Sequence, residues 1–97
     1  MKDDFFQALS NPYRREIIRL LKWRNLTAGE IAGHFDIAQP TVSRHLEVLR
    51  NAGIITRQRR GNQILYSLDL SMVREMMVEI AALLGRGEEG AAYDTEG

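Results

Sequence analysis

A polar helical surface between residues 39 and 51 carries the residue types best suited to a chemical role, the reading of nucleic-acid bases. Arginine can pair with guanine O6 and N7, glutamine with adenine, and a hydroxyl group with a phosphate or a thymine methyl. The segment supplies these groups at Gln39, Thr41, Ser43 and Arg44. We expect Gln39, Thr41 and Arg44 to read base edges and Ser43 to contact a phosphate. The alternative is that they are ordinary solvated residues of a surface helix.

A buried stripe must hold this surface in position. Val42, Leu46 and Leu49 recur at offsets of 0, 4 and 7, which predicts one apolar face of an amphipathic helix. Pro40 is tolerated in a first helical turn, and Gly53 can adopt the left-handed conformation that ends a helix. The sequence therefore predicts a helix from Gln39-Pro40 to the residues before Gly53.

A basic β-hairpin is predicted directly after that helix. Residues 54–60 and 63–68 are rich in β-branched, apolar and aromatic types, and Gly61-Asn62 suits a two-residue turn between them. We expect the hairpin arginines to contact phosphates beside the reading helix, namely Arg57, Arg59 and Arg60. They can also act as a charged edge that discourages strand-to-strand aggregation.

Start signals predict four further helices. Asp3 or Asp4 can cap a short helix that ends near Ser10, and Asn11-Pro12 begins one that runs to about Trp23. Thr27-Ala28-Gly29-Glu30 fits a capping box and opens a helix that ends near His34. Asp69 or Ser71 can cap a last helix, which carries an apolar stripe as far as Leu84. The predicted fold class is mainly α with a small β-hairpin, in the order of a winged helix-turn-helix (α-α-α-α-β-β-α).

The first and last helices carry more apolar residues than a small core obviously needs. We expect them to form a homodimer interface, whose predicted members are Phe5, Phe6, Leu9, Val73, Met76, Ile80 and Leu83. The alternative is that they only close the core of the monomer. Arg14 and Arg15 either face DNA or solvate the second helix, and Trp23 is expected in the core or an interface.

Charge is distributed unevenly along the 97 residues, although the formal net charge is zero. Residues 1–68 carry 11 Lys/Arg against 6 Asp/Glu, a balance of +5, whereas residues 69–97 carry 2 against 7, a balance of −5. Association with DNA depends on the local field, so the zero total is weak evidence against it. We expect one DNA-binding and dimerisation domain over residues 1–84 and a disordered acidic tail over residues 85–97.

Other classes of protein fit less well. There is no cysteine, no glycine-rich phosphate loop and no paired-carboxylate constellation, and Ser43 and His45 point about 200° apart on one helix, so we expect no enzyme and no cofactor. A winged helix that binds proteins would more often expose apolar anchors, and RNA binding would call for exposed stacking aromatics. No secretion signal or membrane-spanning run is evident, so we expect a cytoplasmic protein without membrane insertion.

The chain resembles the ArsR (SmtB/ArsR) family of winged-helix repressors. The stretches that carry the resemblance are FQALSNPYRR at 6–15, LTAGEIA at 26–32, QPTVSRHLEVLRNAGII at 39–55 and RGNQILYSL at 60–68. The resemblance implies a homodimer, formed by the first and last helices, that binds an imperfectly palindromic double-stranded DNA operator. It covers nearly the whole chain except the tail.

Departures from the family's metal-sensing members narrow the prediction. Those members carry cysteines in the third helix, or histidines and carboxylates in the last one, whereas this chain has no cysteine and its last helix has no histidine. His45 is expected to be structural and His34 to satisfy carbonyls at a helix end. The chain therefore resembles most the SdpR-type autorepressors, which lack a known inducer site. Whether an effector or a protein partner releases the chain from DNA stays open.

Overall fold

A computed structural model describes residues 3–85 and contains five helices and three strands within that range. The elements follow one another in the order α1 (Asp3–Ala8), α2 (Pro12–Leu21), β1 (Leu26–Thr27), α3 (Ala28–Ala32), α4 (Gln39–Asn51), β2 (Ile55–Arg60), β3 (Gln63–Leu68) and α5 (Leu70–Leu83). The mainly helical winged helix-turn-helix prediction is confirmed. All of the predicted tail (residues 85–97) except Gly85 lies outside the described residues.

Local side-chain signals fix most of the helix starts. The Asn11 side chain accepts hydrogen bonds from the amides of Tyr13 and Arg14 at the start of α2, at 2.8 and 3.2 Å. Thr27 and Glu30 form the expected capping box of α3. Asp69 caps α5 by accepting from the Met72 amide at 3.0 Å. Each cap satisfies amides that a helix leaves without internal partners.

Gly53 ends α4 as the sequence predicts. Its φ is 79°, its amide donates to the Arg50 carbonyl, and the Ile54 amide donates to the Leu49 carbonyl, both at 3.0 Å. This pair of bonds is the Schellman arrangement, which requires a left-handed residue after the helix. The chain is thereby turned from α4 directly into β2.

The sheet contains one strand more than the predicted hairpin. Its order is β1-β3-β2 with antiparallel pairing throughout, and Leu26 lies opposite Tyr66. The hairpin itself matches the prediction: Arg60 pairs with Gln63 across the two-residue Gly61-Asn62 turn, where Gly61 has a φ of 63°. Two residues are too few to show strand alternation in a sequence, so β1 was not predicted.

The core lies between the helices and one face of the sheet. It includes the expected stripe Val42, Leu46 and Leu49 of α4, each at most 2% exposed. Its other buried members are Phe5, Ala8, Ile17, Leu21, Leu26, Ile31, Ala52, Ile54, Ile55, Tyr66 and Met76. This packing fixes α4 firmly and leaves its polar side outward.

Several helix ends differ from the expectations by about two residues. α1 ends at Ala8, α2 at Leu21 and α3 at Ala32, each short of its expected limit. Beyond α2, Trp23 is 80% exposed with the Lys22 ammonium 5.5 Å from its ring, so a core position for this side chain is wrong. Helix ends fray, and composition alone does not determine the last turn.

Candidate nucleic-acid interface

The start of α4 presents the predicted base-reading residues to solvent. Gln39, Thr41, Ser43 and Arg44 are all exposed, while Val42 between them is buried. The structure thus brings the four residues together on the first turns of one helix. Polar side chains held by a rigid helix are available for contacts to a major groove.

The first amides of α4 have no side-chain cap, unlike those of α2, α3 and α5. The N-cap residue of α4 is Ala38, whose side chain accepts no hydrogen bond, and Pro40 removes one amide donor from the first turn. A helix start of this kind carries a partial positive charge. The Thr41 amide already donates to the Ala38 carbonyl at 2.9 Å, so the Gln39 amide is the one in the first turn that a phosphate could satisfy.

The three hairpin arginines are exposed but do not share one face of the sheet. Arg57 lies opposite Tyr66 and Arg59 opposite Ile64, whereas Arg60 lies opposite Gln63. Directly opposed residues share a face, and Tyr66 belongs to the core face, so Arg57 and Arg59 lie on the face against which the helices pack. Arg60 lies on the other face, next to the turn. The three arginines therefore do not form one cluster: Arg57 and Arg59 form a pair on one face, and Arg60 lies apart at the tip.

Arg14 and His45 link α2 to the middle of α4, a contact that the sequence analysis missed. The Arg14 Nη1 lies 3.2 Å from His45 Nδ1, and the Tyr13 ring stacks on the imidazole with centroids 5.8 Å apart. Arginine can only donate, so Nδ1 must be the unprotonated acceptor of a neutral ring. Burial, with the nearby Arg14 and Arg44 charges, lowers the pKa of His45 below its usual 6.5.

Arg14 and Arg15 also hold the end of α1, so neither is mainly a solvating residue. Arg14 Nε donates to the Ala8 carbonyl at 2.7 Å and Nη2 donates to the Gln7 carbonyl at 3.0 Å. Arg15 Nη1 donates to the Leu9 carbonyl at 2.8 Å. The Ala8 and Leu9 carbonyls at and just beyond the end of α1 gain partners in this way, whereas the Gln7 carbonyl also accepts from Ser10. The sequence shows two arginines directly after Asn11-Pro12, but this pattern does not reveal which carbonyl groups they bind.

Helix α5 has two apolar stripes, one covered and one exposed. Met76 is 2% exposed and lies in the core, where the half-buried Met72 packs beside it, while Val73 and Ile80 are half-buried. Leu70, Met77 and Leu84 are 57%, 62% and 69% exposed, and we call these three residues the outer stripe. Their spacing of seven residues puts them near one line along a helix.

The predicted interface residues divide accordingly. Phe5 and Met76 are already buried within the chain, and Leu9, Val73 and Ile80 are partly covered. Phe6 is 37% exposed and Leu83 66% exposed, so both have surface left to bury. The outer stripe was not among the predicted interface residues, although its seven-residue spacing is visible in the sequence.

Two features, a metal-binding cluster and a membrane-spanning helix, are absent from residues 3–85. No three histidine or carboxylate side chains in that range lie close enough together to hold a metal ion. Over the same range, no helix combines the length and the apolar character needed to cross a membrane.

Comparison with known proteins identifies the family. The model of the bacterial regulatory proteins of the arsR family matches residues 11–57. The transcriptional repressor SdpR of Bacillus subtilis (strain 168) is 37% identical over 86 residues, which is 89% of this chain and 96% of SdpR. The chain belongs to the ArsR family. The match to the family model includes α2, α3, α4 and the start of β2, and so contains every predicted base-reading residue.

Solved ArsR structures have the same fold. A crystal structure of an ArsR family transcriptional regulator superposes with a TM-score of 0.75 at 27% identity, covering 96% of this chain and 92% of the other. Rv0081 of Mycobacterium tuberculosis gives a TM-score of 0.67 at 28% identity, covering 93% and 91%. The prediction of an ArsR winged helix-turn-helix regulator is thereby confirmed at the level of family and fold.

Proposed function

We propose that this ArsR chain is a sequence-specific repressor that binds a palindromic double-stranded DNA operator as a homodimer. The observation that carries the proposal is the exposed, uncapped start of α4, where Gln39, Thr41 and Arg44 project from a helix fixed by its buried stripe. Gln39, Thr41 and Arg44 read bases in the major groove, and Ser43 contacts a phosphate.

The hairpin supplies affinity rather than sequence choice. Arg57 and Arg59 lie on the helix-packed face of the sheet and contact phosphates flanking the groove that α4 enters. Arg60, beside the turn, reaches a phosphate from the tip. Neutralising phosphates releases counterions, so the affinity that these arginines contribute falls with salt concentration.

Dimerisation is proposed through α1 and α5. The outer stripe, Phe6 and Leu83 present apolar side chains that a second copy would cover. A two-fold axis through this surface gives two reading helices related by symmetry, and these match two half-sites of a palindrome.

The regulatory part of the proposal is autorepression without metal sensing. It is supported by the likeness to SdpR, which is described as a transcriptional repressor, and by the lack of cysteine in the chain. Zinc and copper sensors require clusters of thiolates, imidazoles or carboxylates. Operator binding should therefore be unaffected by added Zn²⁺ or by a chelator.

Selection of bound duplexes from a random DNA library tests the proposal. The purified full chain should enrich two inverted half-sites whose centres are about 10 bp, one helical turn, apart or a multiple of that distance. Finding this sequence upstream of the chain's own gene would support autoregulation. No enrichment, even at low salt where phosphate contacts are strongest, would overturn DNA reading and favour a winged helix that binds another protein.

A further inference from the structure

A cavity between α1 and the end of α4 opens to solvent on a part of the chain that DNA reading does not use. It has a volume of about 420 Å³ and is lined by Asp4, Gln7, Arg14, Val48, Asn51 and Ala52. Ligand sites generally measure about 300–1,000 Å³, so the space suits a small organic molecule rather than a single ion. We call it the α1–α4 cavity.

Two opposite charges line the α1–α4 cavity without pairing with each other. Asp4 contributes an exposed carboxylate from α1, and Arg14 contributes a half-buried guanidinium from α2. Within residues 3–85, no carboxylate lies within ion-pair distance of Arg14. A half-buried cation without a carboxylate partner is a favourable place for an anionic group of a ligand.

Arg14 has donors to spare for such a group. Its guanidinium carries five N–H bonds, and the contacts to Ala8, Gln7 and His45 use one each from Nε, Nη2 and Nη1. One N–H on each terminal nitrogen is left. A carboxylate can therefore bind to Arg14 without breaking the bonds that hold α1 and α4.

The remaining lining groups define the rest of the ligand. The Asp4 carboxylate accepts hydrogen bonds and favours a cation such as an ammonium group. The side chains of Gln7 and Asn51 add neutral donors and acceptors, and Val48 and Ala52 supply a small apolar surface. We propose that the α1–α4 cavity binds a small zwitterion, a molecule with one carboxylate and one ammonium group such as a free amino acid.

The cavity touches the helix that carries the predicted reading residues. Asn51 lies ten residues after Thr41 on α4, which corresponds to about 15 Å along the helix axis. Arg14 contacts both the cavity and His45 in the middle of the same helix. A zwitterion bound in the cavity would therefore contact both α1 and the end of α4.

Nuclear magnetic resonance titration of the full-length ¹⁵N-labelled protein tests this proposal without DNA, so its result does not depend on DNA binding. The probes are glycine and L-alanine as zwitterions, with acetate and methylammonium as single-charge controls. The amides of Gln7 and Asn51 should shift and saturate with glycine or alanine below about 10 mM. Acetate and methylammonium should each bind at least about tenfold more weakly than the amino acids.

Matched variants assign the binding to the cavity. Asp4→Asn removes the carboxylate from an exposed position and should weaken glycine and alanine binding about tenfold. Asn51→Ala, also at an exposed position, should weaken it in the same direction. Asp36→Asn removes an exposed carboxylate outside the cavity and should leave the affinity unchanged.

Three results would overturn the proposal. The first is no saturable shift at Gln7 and Asn51 with either amino acid. The second is acetate binding as tightly as glycine, which would exclude a zwitterion as the ligand class. The third is an Asp4→Asn variant that retains wild-type affinity, since the ammonium group would then have no partner in the cavity.

Discussion

The start of α4 and the outer stripe of α5 are both exposed, yet they differ in what would complete them. The start of α4 has polar side chains and an uncapped Gln39 amide, which an anion with hydrogen-bond acceptors would satisfy. The outer stripe consists of Leu70, Met77 and Leu84, which only another apolar surface would cover favourably. One chain therefore presents two incomplete surfaces of opposite chemistry, one suited to an anionic partner such as DNA and the other to an apolar surface, which we propose to be that of a second copy.

Breaking the apolar surface should have the largest effect on DNA binding. Met77→Glu puts a charge in the middle of the outer stripe, where a second copy would bury it, whereas in the single chain the side chain stays in solvent. We expect monomers in sedimentation, an unchanged helical circular dichroism spectrum, and operator binding weaker by about 100-fold or more, because two linked half-sites are lost.

Ser71→Glu is the matched control for this experiment. It introduces the same side chain at an exposed but already polar position of α5. It should leave the dimer intact. A Met77→Glu protein that still sediments as a dimer would show that the copies associate through another surface.

Removing a reading side chain tests the polar surface with a smaller effect. Arg44→Ala should cost about 1–3 kcal/mol at the selected operator and relax base choice at one position of each half-site. Binding to unrelated DNA should change much less. Fluorescence anisotropy with operator and scrambled duplexes measures both affinities.

Arg19→Ala serves as the comparison for Arg44→Ala. Arg19 is an exposed arginine of α2 that pairs with Glu16 at 2.9 Å, so its removal deletes the same charge away from α4. It should lower operator and scrambled affinities equally, if at all. The same pattern for Arg44→Ala would remove it from the base-reading set.

Variants of the hairpin arginines distinguish base-specific recognition from sequence-independent attraction to phosphates. Arg59→Ala should weaken all DNA sequences alike and reduce the slope of log affinity against log salt by about 1, because one phosphate contact is lost. Arg60→Ala, at the tip on the opposite face of the sheet, should reduce the slope by a similar amount, because Arg60 is proposed to contact one phosphate as well. An unchanged slope for Arg60→Ala would remove the tip from the proposed phosphate contacts.

Local signals made much of the fold predictable from the sequence. Thr27-x-x-Glu30, Asn11-Pro12 and Gly53 each act through bonds to residues within five positions, so their types and spacing sufficed to predict helix starts and an end. The exposed reading face was equally accessible, because the buried stripe of α4 determines which residues point outward.

Contacts between distant residues were not predictable in the same way. Arg14 and His45 are 31 residues apart, and strand β1 forms only because Leu26 meets Tyr66 across the sheet. Which apolar side of α5 faces the core also depends on packing. Phe5 and Met76 look like interface residues in the sequence because apolar type alone does not distinguish a core from a dimer surface.

The contact between Arg14 and His45 gives the smallest of the predicted effects, a pH dependence of stability. Folding lowers the pKa of His45, so the unfolded chain binds a proton near its usual 6.5 while the folded chain resists it. The contribution of the neutral His45 to the free energy of unfolding is complete above pH 6.5, and it declines as the pH falls from there toward the lowered pKa. Urea unfolding at pH 7 and pH 5 should therefore show a larger loss of unfolding free energy for the wild type than for His45→Gln.

In the His45→Gln variant, an amide oxygen can accept the Arg14 bond without titrating. The matched control is His34→Gln, at an exposed site. Equal losses for the wild type and His45→Gln would mean that other groups determine the acid sensitivity.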